Sequence, residues 1–126
     1  MAEAITVNAY RRRLASAMAG GPPIAEAAYM AFGDGGHNAD LTAITPSREQ
    51  EALNHEVLRK PLIEVSQEDP FSITGRGLIE ASELVGISIS EAALVDANGE
   101  IIGIKNFAPK VKESDERYEV SIKLRF

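Results

Sequence analysis

Apolar and polar positions alternate most cleanly at the carboxyl end, where Tyr118, Val120, Ile122, Leu124 and Phe126 interleave with Glu119, Ser121, Lys123 and Arg125. That period of two predicts a strand with one buried face. Upstream, Ile87 to Val95 and Glu100 to Phe107 flank Asp96-Ala97-Asn98-Gly99, a tight turn in which Gly99 takes the left-handed backbone that closes a hairpin. From Ile24 to Phe32 apolar residues occupy both parities, Ala28, Met30 and Phe32 on one and Ala27, Tyr29 and Ala31 on the other, so this strand is expected to be buried on both faces. Between these runs lie Leu62 to Ser66, a turn through Gln67 to Pro70, then Phe71 to Thr74 and Leu78 to Ala81. Gly75-Arg76-Gly77 separates the last two runs and reads as a bulge or tight bend.

Two stretches carry helical signals instead. Val7, Tyr10, Leu14, Ala17 and Met18 recur at steps of three and four, with Thr6 or Asn8 available as a cap, Gly20 as a left-handed stop and Pro22-Pro23 forbidding continuation. A second, short helix is expected from Thr45-Pro46-Ser47: Pro suits a first helical turn, Ser47 and Gln50 form a capping box, Leu53, Val57 and Leu58 face inward, Glu56 pairs with Arg59, and Pro61 ends it. The expected fold class is thus α+β, a mostly antiparallel β-sheet with an N-terminal helix and a second short helix. No repeat or linker divides the chain, and residues 1–126 read as a single domain.

Charge and composition narrow the function. A formal net charge of -6 argues against nucleic acid, whose phosphates need a clustered excess of Lys and Arg. There is no Cys, which removes disulfides and thiolate chemistry and fits assembly in a reducing cytoplasm. No run approaches the roughly 20 apolar residues of a membrane span. Arg11-Arg12-Arg13 before Leu14 to Ala19 imitates a signal peptide, but the Ala-rich stretch is too weakly apolar to act as one. The Arg triplet reads as a solvated helix flank.

The most tempting chemical motif is Gly33-Asp34-Gly35-Gly36-His37-Asn38. A phosphate loop needs an immediately following helix, whereas an irregular stretch runs here to Pro46, and a calcium loop needs an oxygen ligand where Gly36 stands. The expectation is a turn with glycine at positive φ and Asp34 bonding local backbone NH groups. His37 and His55 have no sequence neighbours of a zinc or Ser-His-Asp pattern. Neither enzymatic activity nor a cofactor or metal is expected.

Three ordered pieces carry a family resemblance: Tyr29 to Gly35, Leu53 to Ile63, and Ile89 to Gly103. Together they resemble the phage tail-collar fibre family, the amino-terminal attachment domain of tail fibres in contractile-tailed phages and prophages. The resemblance implies Gly33, Asp34, Gly35, Asn54, Glu56, Arg59 and Glu91 as signature positions, with Gly99 of the hairpin beside them, holding turns and elements together. Ala93 stands where the family often has Gly. The family's fibre shaft usually follows this domain, so the resemblance reads the chain as a separately encoded module or a piece of a longer fibre. The implied role is an adaptor attaching the fibre to the baseplate in the virion tail, assembled in the host bacterial cytoplasm. Its implied partners are baseplate or fibre proteins and its own copies, with a trimer favoured; independently of the resemblance, part of the apolar face that ends at Phe126 is expected to pack within the domain and part at a subunit boundary. Nucleic acid and membrane are not implied. The alternative is a small-ligand or carbohydrate-binding β domain using the loop Gly33 to Thr45.

Overall fold

The computed structural model describes residues 3–126. The order along the chain is β1 (Ile5–Thr6), α1 (Asn8–Met18), β2 (Ala27–Gly33), β3 (Glu56–Pro61), β4 (Glu64–Ser66), β5 (Ser72–Ile79), β6 (Ser88–Asp96), β7 (Ile101–Val111) and β8 (Tyr118–Arg125). Five strands form one sheet in the order β1-β7-β6-β2-β3 and three form a second, β4-β5-β8. Every pairing is antiparallel.

The period-two patterns determine how the sheets face each other. Met30 and Phe32 of β2, Ala92 and Leu94 of β6 and Ile102 of β7 meet Ile79 of β5 and Val120, Ile122 and Leu124 of β8 in the layer between the sheets. Full burial of an aliphatic side chain stabilises by about 1.5–3 kcal/mol, so this layer dominates the fold. The opposite parity, Ala31, Ala93 and Val95, lies on the outer face of the larger sheet beneath Val7 and Leu53. Apolar residues of both parities in β2 and β6 are thereby accounted for.

The two-helix expectation is overturned: 45% of the chain is strand and 9% helical, and α1 is the one helix among the described residues. Its stop is as expected, with Gly20 at φ +92° and Gly20 and Gly21 NH closing on Ala17 and Ser16 carbonyls. Its start is not, since Val7 occupies the N-cap with no side-chain cap and Asn8 Nδ2 bonds Glu49 instead. The second helix is absent although its capping box forms: Gln50 Oε1 accepts Ser47 NH at 2.8 Å and Ser47 Oγ accepts Glu49 NH at 3.2 Å. A cap contributes about 1 kcal/mol. Against it stands β3, whose ladder to β2 joins Met30 to Lys60, Ala31 to Arg59 and Phe32 to Leu58, each net hydrogen bond stabilising by about 0.5–1.5 kcal/mol while Leu58 packs on the core. Tertiary pairing wins.

Gly75 and Gly77 make neither bulge nor bend. β5 runs unbroken against β8 from Ser72 opposite Arg125 to Ile79 opposite Tyr118. A Cβ on Gly77 would stand 2.7 Å from Met30 Sδ, so the glycines let the sheets approach closely.

The sandwich has two unlike long sides. On one, the chain crosses directly from β3 to β4, with Leu62 NH bonding the Ala28 carbonyl at 3.0 Å and Ile63 NH the Arg76 carbonyl at 2.9 Å. On the other, β1 and β8 are both edge strands and no connection joins them.

Candidate functional site

The signature residues gather around Glu91. β6 carries Glu91 in the parity of Ala93 and Val95, towards the outer face, and the carboxylate is fully buried there. Its Oε2 accepts Gly35 NH at 2.9 Å and His55 NH at 2.8 Å, and its Oε1 accepts Asn54 NH at 2.8 Å. One side chain therefore holds both ends of the long loop between β2 and β3. Those three donors lie outside any ladder, and a buried donor left unbonded costs about 1–3 kcal/mol.

Neighbouring groups complete a clasp. Asn54 Nδ2 donates to the Gly35 carbonyl at 2.9 Å, Asp34 NH to the His55 carbonyl at 3.2 Å, and Asp34 Oδ1 meets His55 Nδ1 at 2.5 Å. Ser90 Oγ accepts Gly36 NH at 2.9 Å and stands 2.8 Å from His37 Nδ1. Two details of the sequence reading are corrected here. Gly33, Gly35 and Gly36 are absent from the positive-φ residues; a Cβ at Gly33 or Gly36 would collide with Glu91 and the neighbouring main chain, so close approach demands them. Asp34 bonds the distant His55, while the local NH groups go to Glu91 and Ser90. That hydrogen bond, and the charge of Asp34 behind it, raise the His55 pKa above the ordinary value.

The remaining signature residues extend the clasp along β3. Gly33 opposes Glu56 but Phe32 opposes Leu58, so Val57 is an extra residue, and Glu56 and Arg59 come to the same face although three apart. They form a forked pair, Nη2 to Oε1 at 2.8 Å and Nε to Oε2 at 3.1 Å, on a strand and not the expected helix. Arg59 Nη1 then reaches the Gly99 carbonyl at 3.2 Å. Gly99 has φ +86° at the hairpin tip, its NH bonded to the Asp96 carbonyl at 2.9 Å, while Asp96 Oδ1 accepts Asn98 and Glu100 NH. The signature residues thus form two adjoining groups, Asp34, Gly35, Asn54 and Glu91 in the clasp and Glu56, Arg59 and Gly99 beside it, with Gly33 opposite both Glu91 and Glu56 in the sheet.

Sequence reasoning missed His55 and Ser90 as members, because their partners lie 21 and more than 50 positions away. It also missed Arg13, which is no solvated flank. Its guanidinium donates to the Ile101 carbonyl at 2.7 Å, pairs with Glu100 at 3.0 Å and stacks 5.6 Å from the Tyr10 ring centroid, tying α1 to the β6–β7 hairpin. Nor does any local signal mark Lys112, fully buried with Nζ donating to the Ala81 and Glu113 carbonyls at 3.0 and 2.7 Å.

A buried carboxylate whose acceptors are taken by main-chain donors organises loops, and the fold around it is a two-sheet antiparallel β-sandwich. The chain belongs to the phage tail-collar fibre family: the family's pattern for the N-terminal domain, phage tail-collar fibre protein, N-terminal, matches residues 1–123. It is a tail fibre component of a phage virion, associated with other tail proteins. Comparison with curated proteins and with solved structures gave no match. Among the described residues no helix is long and apolar enough to cross a membrane.

Proposed function

We propose that this domain is the adaptor through which a tail fibre is attached to the phage baseplate, acting by protein contact and without catalysis, and assembled in the bacterial host before incorporation into the virion. The carrying observation is the inward use of the family's signature: Glu91 spends its carboxylate on Gly35, Asn54 and His55 NH, which makes those residues the frame of a rigid body. The alternative use of the Gly33–Thr45 loop as a ligand-binding edge is weaker, because Gly35 and Gly36 NH are already bonded to Glu91 and Ser90. The test is capture of tails from a lysate of the intact phage or prophage. Recovery of baseplate or fibre proteins is expected, and recovery of neither would overturn the reading. Metal analysis of desalted protein is expected to find no stoichiometric zinc, calcium or magnesium.

The adaptor is proposed to work as a trimer. Val120, Ile122 and Leu124 pack inside the domain, which leaves Phe126, 54% exposed and 6.0 Å from the Tyr10 ring, and Phe71, 69% exposed, as the apolar groups free for a boundary at that end. Light scattering is expected to give a trimeric mass, and Phe126→Asp to weaken association more than folding. A strictly monomeric wild type at high micromolar concentration would count against it.

A further inference from the structure

The open side of the sandwich carries two independent features that fit one kind of partner. The first is backbone valence. β8 pairs with β5 alone, and Phe126 NH bonding the Phe71 carbonyl at 2.7 Å sets the ladder's parity. By the alternation of an antiparallel ladder, the NH and C=O groups of Glu119, Ser121, Lys123 and Arg125 point away from β5. Lys105 Nζ, reaching the Ser121 carbonyl at 3.2 Å from β7, confirms that this carbonyl faces outward. Apart from the Ser121 carbonyl held by Lys105, these outward groups of the eight-residue edge strand have no strand partner.

The second feature is charge. A groove of about 670 Å³ between β1 and β8 is lined by Arg11, Arg48, Lys105, Lys123 and Arg125, with Glu3 its one carboxylate. Through Lys105 and Ser121 it continues into a second hollow of about 390 Å³ beside Phe107 and Tyr118, so the two together follow β8 along its length. Among the described residues Arg11, Arg48 and Lys105 have no carboxylate within ion-pair distance, and Lys123 and Arg125 make only contacts of 3.6–3.8 Å to Glu68 and Asp69. This concentration of cations stands on a chain whose net charge is -6. Exposed cations also blunt an edge against indiscriminate pairing, and they select for a strand of opposite charge.

We propose that β8 receives an extended acidic segment of a partner protein as an added strand, with main-chain bonds to Glu119, Ser121, Lys123 and Arg125 supplying register and the surrounding cations supplying selectivity. The inference deepens the adaptor reading and rests on it only for the partner's being a tail protein.

A nine-residue peptide alternating Glu and Val, with an alternating Lys and Val peptide as control, tests the edge directly. Amide shifts in 15N-labelled protein are expected along β8 with the acidic peptide alone, weakening at least tenfold between 50 and 500 mM salt. The double variant Lys123→Glu, Arg125→Glu should lose at least tenfold in affinity. Ser121→Pro, which removes an outward NH and is tolerated on an edge strand, should abolish the β8 shifts while circular dichroism stays that of the wild type. Equal binding of both peptides, no binding of the acidic one at millimolar concentration, or β8 shifts that follow protein concentration and not peptide would each overturn the proposal, the last by assigning the edge to a second copy. Tail capture separates it from the broader reading. If the folded double variant captures baseplate proteins as well as the wild type does, the edge proposal falls and the adaptor stands; if the wild type binds the acidic peptide selectively but captures no tail protein, the adaptor falls and the edge proposal stands.

Discussion

The two long sides of the sandwich answer the same problem in opposite ways. On the β3–β4 side the chain crosses between sheets, and the nearby Glu91 clasp supplies acceptors to main-chain donors that no ladder serves. On the β1–β8 side an eight-residue edge and its flanking cations are left without a strand partner. Stability is concentrated where polar groups are satisfied internally, and the capacity to bind is concentrated where they are not. β8 holds its register through its unbroken ladder to β5, from Ser72 opposite Arg125 to Ile79 opposite Tyr118.

The sharpest way to break this contrast is to remove the acceptor on the closed side. Glu91→Ala strands three part-buried donors at once and should cost roughly 2–5 kcal/mol, because a fully buried donor left unbonded costs about 1–3 and access to water recovers part of that here. Urea denaturation measures it, and Glu91→Gln, retaining one carbonyl oxygen, should fall between the variant and the wild type. A loss below 1 kcal/mol for Glu91→Ala would show that the clasp does not hold the loop.

Next in size is a wedge between the sheets. Gly77→Ala pushes on Met30 and Phe32 and should cost about 1–3 kcal/mol, as overpacking does. Because the β3–β4 crossing joins two edge strands directly while the edges β1 and β8 share no such connection, amide exchange should accelerate first in β8 and last at the β3–β4 crossing. Equal acceleration on both sides would dissolve the distinction between them.

Gly99→Val tests the hairpin that Arg59 anchors to the closed side. Left-handed backbone at φ +86° should make the substitution cost about 1–2 kcal/mol, read as a lower thermal midpoint. An unchanged midpoint would mean that the turn relaxes freely.

The smallest effect is pH-dependent. Asp34 raises the His55 pKa by hydrogen bond and charge, so the pair's contribution is present below the unfolded histidine value of about 6.5 and is lost as pH rises through the higher folded value. His55 is exposed and solvent screens the pair, so the readout is an NMR titration and not a melting curve. The midpoint should lie above the ordinary value and return to it in Asp34→Asn.

Much of this protein is legible without coordinates, wherever the deciding interactions are local. The alternation of Tyr118 to Phe126 becomes β8 with Val120, Ile122 and Leu124 buried, the mixed parity of β2 becomes a strand covered on both faces, and Asp96 to Gly99 closes its hairpin. Gly20 stops α1 where a glycine before two prolines should. The stretch from Ser47 to Pro61 shows the limit of such reading. Its capping box forms through side chains two and three residues apart, yet Asn54 and His55 NH go to a carboxylate more than thirty-five positions away and Glu56–Pro61 pairs with β2. A local cap of about 1 kcal/mol cannot outweigh a sheet ladder and a buried acceptor that exist only once the chain has folded. The same distance in sequence hid the partners of Arg13 and Lys112, and the tight sheet spacing that demands Gly75 and Gly77. The sequence by itself determined which residues could face a core and where the chain must turn, because side-chain period and backbone sterics act over a few residues. Only the tertiary structure decided which donors Glu91 would satisfy and which edge would stay open, because those outcomes depend on which strands lie side by side.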